Sequence, residues 1–176
     1  MIKISIKFIL FLLIININAN DNNCFELNSE TISLSQDKTT LTIKGTGEMC
    51  DCLSNEYLNY QETVTKIIFQ NEVTSIGMKC FSNYQKLTDI QFGNKIERIE
   101  EYAFYNSSLK ELTIPSKTNV VEEFAFAENK ELEKIEFDES EYEVVIQNYV
   151  FANCNLLKNV TLPNNLIEKY LIIVYK

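Results

Sequence analysis

The sequence predicts an α/β repeat solenoid: a short right-handed coil stack, a parallel sheet on one face, turns and short helices on the other, and an N-terminal β-hairpin cap. Three observations predict it. Phe81, Phe104, Phe126 and Phe151 recur at intervals of 23, 22 and 25 residues. A leucine and two further apolar residues follow each one in phase, the last two spaced two apart, as strand side chains facing one way must be. Ahead of these copies, residues 32–45 read ISLSQDKTTLTIKG, two alternating runs joined by the polar residues Ser35 to Lys38, as a hairpin requires.

Residues 1–20 read as a signal peptide. Lys3 and Lys7 give a positive start, Phe8 to Ile15 is an unbroken apolar run, and Ala19 offers a small residue for cleavage. The apolar run is short for a bilayer span. A retained membrane anchor is the rival reading, because the bulky Ile17 sits two residues before Ala19. Cleavage would remove two lysines and no acidic residue, taking the net charge from -9 to -11 and leaving no stable membrane span.

Residues 21–62 form the expected cap, in which Gly45 and Gly47 mark a turn after the hairpin. A hairpin there would close the open apolar end of the stack, as solenoids need. Residues 49–62 are a less regular connection carrying Cys50, Cys52, Tyr57 and Tyr60. Export would put Cys24, Cys50, Cys52, Cys80 and Cys154 in an oxidising compartment. Five is odd, so at least one stays free or pairs between chains. Cys24 with Cys50 or with Cys52 would staple the cap.

Residues 63–163 carry the repeats. The complete copies are 73–92, 96–114, 119–137 and 144–162, and TVTKIIF at 63–69 matches the strand half of an earlier coil. Leu87, Leu109, Leu132 and Leu157 follow the phenylalanines. Ile90, Leu112, Ile135 and Val160 come next, then Phe92, Ile114, Phe137 and Leu162. A period near twenty-three residues with this pattern is that of leucine-rich repeats. One copy buries a single layer of side chains, so only stacking makes a continuous core. Segments such as EEYAF and EEFAF predict a turn or one-turn helix on the wall opposite the strands.

Residues 164–176 read as a truncated or irregular end. The phase calls for a further coil after Pro163, but the chain reads NLIEKYLIIVYK. Leu171 to Val174 either fold back as an edge strand or form an exposed strand that invites self-association.

The phrase VTSIG followed by CFSNYQKLTDI at 73–90 resembles the BspA-like, treponemal-type leucine-rich repeats, found in surface proteins of anaerobic bacteria and of parasitic protists such as amoebae and trichomonads. TLTIKGTGEM at 40–49 is similar to the cap that precedes these repeats. The resemblance covers about residues 30–163. It implies a secreted or cell-surface protein that acts in adhesion to host proteins or cells, with no catalytic residues to carry over. The isoleucine- and asparagine-rich, proline-poor composition is compatible with an AT-rich protist genome.

The expected function is therefore that of a non-catalytic protein-binding module, with a host or matrix protein as candidate ligand. The alternative is a structural or non-functional fragment of a longer array. Sixteen basic against 25 acidic residues, with no basic stripe, argue against nucleic acid. Without histidine the chain lacks the usual general base and the commonest neutral metal ligand, so no catalytic residue, metal or cofactor is expected. Outward strand positions should form two ladders, Asp89, Glu111, Lys134 and Asn159 beside Gln91, Thr113, Glu136 and Thr161. They make either a binding surface or a solvated sheet face. Tyr84, Tyr102, Tyr105, Tyr142 and Tyr149 read as packing residues near the turns. Glu100, Glu101, Glu122, Glu123 and the run Asp138, Glu139 and Glu141 read as a solvated acidic edge rather than a calcium loop. Two sequons, at Asn106 and Asn159, are glycosylation candidates.

Overall fold

Strands form where apolar residues alternate, and the computed structural model, which describes residues 24–52 and 60–169, shows how the alternation closes each coil. The cap holds β1 (Cys24–Phe25), β2 (Ile32–Leu34), β3 (Thr40–Ile43) and β4 (Glu48–Met49). β2 and β3 pair antiparallel, Ile32 opposite Ile43, with Lys38 in the left-handed region at the turn. β1 pairs in parallel with β4, and the bond from Cys24 to Cys50 locks that pair.

Every later coil contributes one strand to each of two walls. The first wall starts on β3 and adds β5 (Lys66–Phe69), β7 (Asp89–Gln91), β9 (Glu111–Ile114), β11 (Lys134–Phe137) and β13 (Asn159–Thr161). The second wall runs through β6 (Ser75–Ile76), β8 (Arg98–Ile99), β10 (Val120–Val121), β12 (Val144–Ile146) and β14 (Leu166–Lys169), all parallel. A bridge between Gly47 and Val73 joins the cap to this wall. Gly77 is required at the same junction, since a Cβ there would stand 2.3 Å from the Cys50 carbonyl oxygen. Cys52 bonds Cys80, so a second disulfide ties the cap to the first full coil, and Cys154 is left free and buried.

The α/β expectation is corrected by the third side of the coil. The fold is an all-β solenoid of parallel sheets, and its third side is built of turns, with no helix among the described residues. The residues two before and two after each phenylalanine adopt positive φ: Lys79 and Asn83, Tyr102 and Asn106, Phe124 and Glu128, Tyr149 and Asn153. A left-handed residue every fourth position cannot propagate a right-handed helix. Alternate amides then leave the coil. Lys79, Phe81 and Asn83 donate to the carbonyls of Glu101, Ala103 and Tyr105 in the next coil, while Ser82 bonds back to Lys79 as a turn. Tyr102, Phe104 and Asn106 repeat the pattern onto Glu123, Ala125 and Ala127. Amides spent between coils are unavailable for helical bonds within one.

Inside this wall Phe81, Phe104, Phe126 and Phe151 form one buried column. Successive rings stack at 5.5, 5.4 and 5.9 Å. Three residues after each comes a second buried row. Ser107 Oγ, Asn129 Nδ2 and Cys154 Sγ donate to the carbonyls of Phe81, Phe104 and Phe126 in the preceding coil. Tyr84 heads this row, and among the described residues its buried hydroxyl has no partner. The expected signal at 1–20 and the segment Leu171 to Val174 lie outside the described residues.

Candidate binding face

Parallel pairing turns the outward strand positions into rows. Lys134 sits between Glu111 and Asn159, and Glu136 sits between Thr113 and Thr161, in strict register across β9, β11 and β13. Their inward neighbours Leu112 and Ile135 are buried, whereas Val160 behind Asn159 and Thr161 is 39% exposed, so six of the eight expected positions share one face that is packed from behind on β9 and β11. Lys134 Nζ meets Glu136 Oε2 at 2.7 Å on its own strand. The Glu136 hydrogen bond and charge, then the charge of Glu111, hold the lysine above its ordinary range.

Asp89 and Gln91 are not part of that face. They pair with Lys66 and Ile68 of β5, and Asp89 is held by Lys66 at 2.7 Å. No backbone bond joins β7 to β9, so the first wall is two sheets, β2-β3-β5-β7 and β9-β11-β13. The cause is in the chain. Phe81, Phe126 and Phe151 stand nine residues before Ile90, Ile135 and Val160, whereas Phe104 stands eight before Leu112. Elsewhere the two residues entering the strand bond the previous coil: Thr88 and Asp89 to Thr65, Glu133 and Lys134 to Lys110. In the short coil, Ser108 bonds Leu87 and Gln85 instead, and Gln85 Nε2 reaches the Asn106 carbonyl at 2.8 Å.

A cleft of about 350 Å3 opens beside this break, reaching Thr113 of the face. Ile90 and Phe92 are only half-buried there, although their counterparts Ile67 and Phe69 in one coil and Ile135 and Phe137 in another are buried. The expected ladders passed straight over this feature. The missing residue between Phe104 and Leu109 was its signal.

The turn side carries a second row. Tyr102, Phe124 and Tyr149 stack at 5.0 and 5.2 Å, with Lys79 over the Tyr102 ring. These rings pack mainly on one another, and Tyr84 is interior. Of the sequons, Asn106 is half-buried with Nδ2 on Asn83 Oδ1 at 2.8 Å, while Asn159 is exposed on β13. Along the acidic edge Glu122 pairs with Arg98. Glu100 is pushed up to about 7 by burial first, then by a hydrogen bond and charge from Asp51 and the charge of Glu122, against the pull of Arg98. Among the described residues no three His, Cys, Asp or Glu side chains converge to hold a metal, and no helix is long and apolar enough to cross a membrane.

A family model described as the BspA type leucine rich repeat region matches six copies over residues 52–171. The chain belongs to that family. It is a leucine-rich-repeat scaffold and not an enzyme. Among solved structures it is similar to the leucine-rich-repeat protein of T. pallidum, at 15% identity over 80% of this chain and 84% of that one, TM-score 0.47. The pneumococcal vaccine antigen PcpA matches at 20% identity and TM-score 0.45, over 81% of this chain but 36% of its own. A leucine-rich-repeat protein from Bacteroides ovatus matches at 20% identity and TM-score 0.39, over 81% and 46%. No curated protein matches the chain.

Proposed function

We propose that the chain is an extracellular or cell-surface adhesion module whose β9-β11-β13 face binds a protein ligand from a host or matrix. The observation that carries the reading is the register of Glu111, Lys134 and Asn159 beside Thr113, Glu136 and Thr161, a polar surface backed on β9 and β11 by the buried Leu112, Ile114, Ile135 and Phe137. Repeat scaffolds bind through such surfaces. Two disulfides within the first coils suit an oxidising compartment, which supports export and a cleaved signal at 1–20. Display by a protist, and a glycan on the exposed Asn159 rather than the tied Asn106, belong to the same reading.

The test is expression of residues 21–176 in an oxidising compartment and surface-plasmon titration against purified matrix proteins. The expected result is saturable binding that Glu111→Lys with Glu136→Lys abolishes. Binding untouched by the double reversal removes this face from the function, and no binding to any of them favours a fragment of a longer array. One observation favours that second reading. Leu156, Val160 and Ile167 of the last described coil stand 39%, 39% and 54% exposed, where a further coil or a second copy would cover them. Sedimentation that rises with concentration and falls with Val160→Ser would assign that end to self-association.

A further inference from the structure

We propose that the cleft at the break in the first wall binds one pyranose unit of a saccharide, a role separate from protein binding on the neighbouring face. Its floor is apolar in mid-stack, where no chain end explains exposure. Ile90 and Phe92 should be sealed by the next strand, and the shortened coil leaves them open, with Phe92 backed by the Phe69 ring at 6.0 Å. The rim is polar and uncommitted. Asn71, Asn94, Ser116 and Asp138 ring the floor. Among the described residues Asp138 has no ion pair, and Asn71 Oδ1 takes only a 3.3 Å bond from the Asn94 amide.

That combination selects a ligand class. A volume of about 350 Å3 lies at the low end of the ~300–1,000 Å3 usual for small-molecule sites, enough for a single ring. Two primary amides offer paired donors and acceptors, and one carboxylate accepts from two neighbouring hydroxyls. A pyranose carries hydroxyls on its edge and C–H groups on its face, matching the rim and floor in turn. Of the lysines that adjoin lining residues in sequence, Lys95 is engaged by Glu72 at 2.8 Å, and neither it nor Lys117 lines the cleft, whereas the carboxylate of Asp138 does, so the lining itself favours a neutral ligand over an anion.

The test is saturation-transfer NMR on residues 21–176 with the methyl glycosides of glucose, galactose, mannose, fucose and N-acetylglucosamine. A second arm uses a glycoprotein before and after enzymatic removal of its glycans, which separates free sugars from displayed ones. At least one glycoside should give transfer, and Asp138→Ala or Asn94→Ala should weaken its binding roughly tenfold, the worth of one charge-assisted or paired hydrogen bond. Both side chains are exposed, so the folded spectrum should persist. Glu111→Lys with Glu136→Lys should leave the sugar signal in place, which distinguishes this site from the protein-binding face. Transfer from none of the sugars, or transfer undiminished in both variants, overturns the proposal.

Discussion

The second wall runs from β6 to β14 with every strand bonded to the next, whereas the first wall, made by the same coils, stops between β7 and β9. One residue separates the two outcomes. The strand before the shortened segment, β8, keeps both neighbours, and the strand after it, β9, loses one. A coil missing one turn residue still closes, because the column of phenylalanines and the intact wall fix its position. What it cannot do is deliver its next strand in hydrogen-bonding reach. The break also parts the chain chemically. Both disulfides lie on its N-terminal side, and the coils beyond it are held by packing and hydrogen bonds without a covalent link.

The largest expected effect comes from the packing that spans the break. Phe104 touches the rings of Phe81 and Phe126 in the column and those of Phe69 and Phe92 from the other sheet. Phe104→Ala should cost about 3–5 kcal/mol, the usual price of a buried phenylalanine. Urea unfolding followed by circular dichroism measures it. A loss under about 1 kcal/mol would mean that the second wall alone joins the halves.

The disulfides come next. Closing a loop of 28 residues, as Cys52–Cys80 does, is worth about 3–4 kcal/mol on chain-entropy grounds. Cys52→Ser with Cys80→Ser should lower stability by that order and loosen the N-terminal side first, seen as faster amide exchange in β5 before β11. Cys154 gives the contrast. Burial pushes its thiol up to about 12, so the folded protein should resist alkylation at pH 8.

A pH effect should follow at the cap junction. Glu100, held up to about 7 mainly by burial and then by Asp51, binds its proton more tightly folded than unfolded. Its stabilising contribution is therefore complete below about pH 4.5 and is lost as pH rises through 7. Glu100→Gln should remove that slope, making the variant the more stable one at pH 8, by about 1 kcal/mol after solvent screening of a partly exposed group. Denaturation midpoints at pH 5 and pH 8 decide it.

The repeat was legible because it is written in large apolar residues with a fixed period. The turn side was misread for a physical reason. Lys79, Tyr102, Phe124 and Tyr149 have no local preference for positive φ, and bonds between coils impose it. Only Asn83, Asn106 and Asn153 carry a local hint. The break was written plainly, as eight residues where nine are usual, but alignment by leucines hides a missing turn residue. Of the cysteines, sequence offered Cys24 two partners, and only stacking shows that Cys50 faces it while Cys52 faces Cys80.

The smallest effect tests why the break stays open. In an unbroken wall Asp89 would stand beside Glu111, and like charges on adjacent strands repel. Lys66 instead draws Asp89 toward β5 at 2.7 Å. The pair is exposed, so Asp89→Asn should change stability by no more than about 1 kcal/mol, less in high salt. Its structural consequence should be nil, because the short coil and not the charge keeps β9 away. The matching experiment inserts one glycine between Asn106 and Ser107. Restored length should slow amide exchange along β9, even with Asp89 and Glu111 unchanged. If Asp89→Asn alone slows exchange at β9, then repulsion across the gap, rather than the missing residue, is what divides the wall.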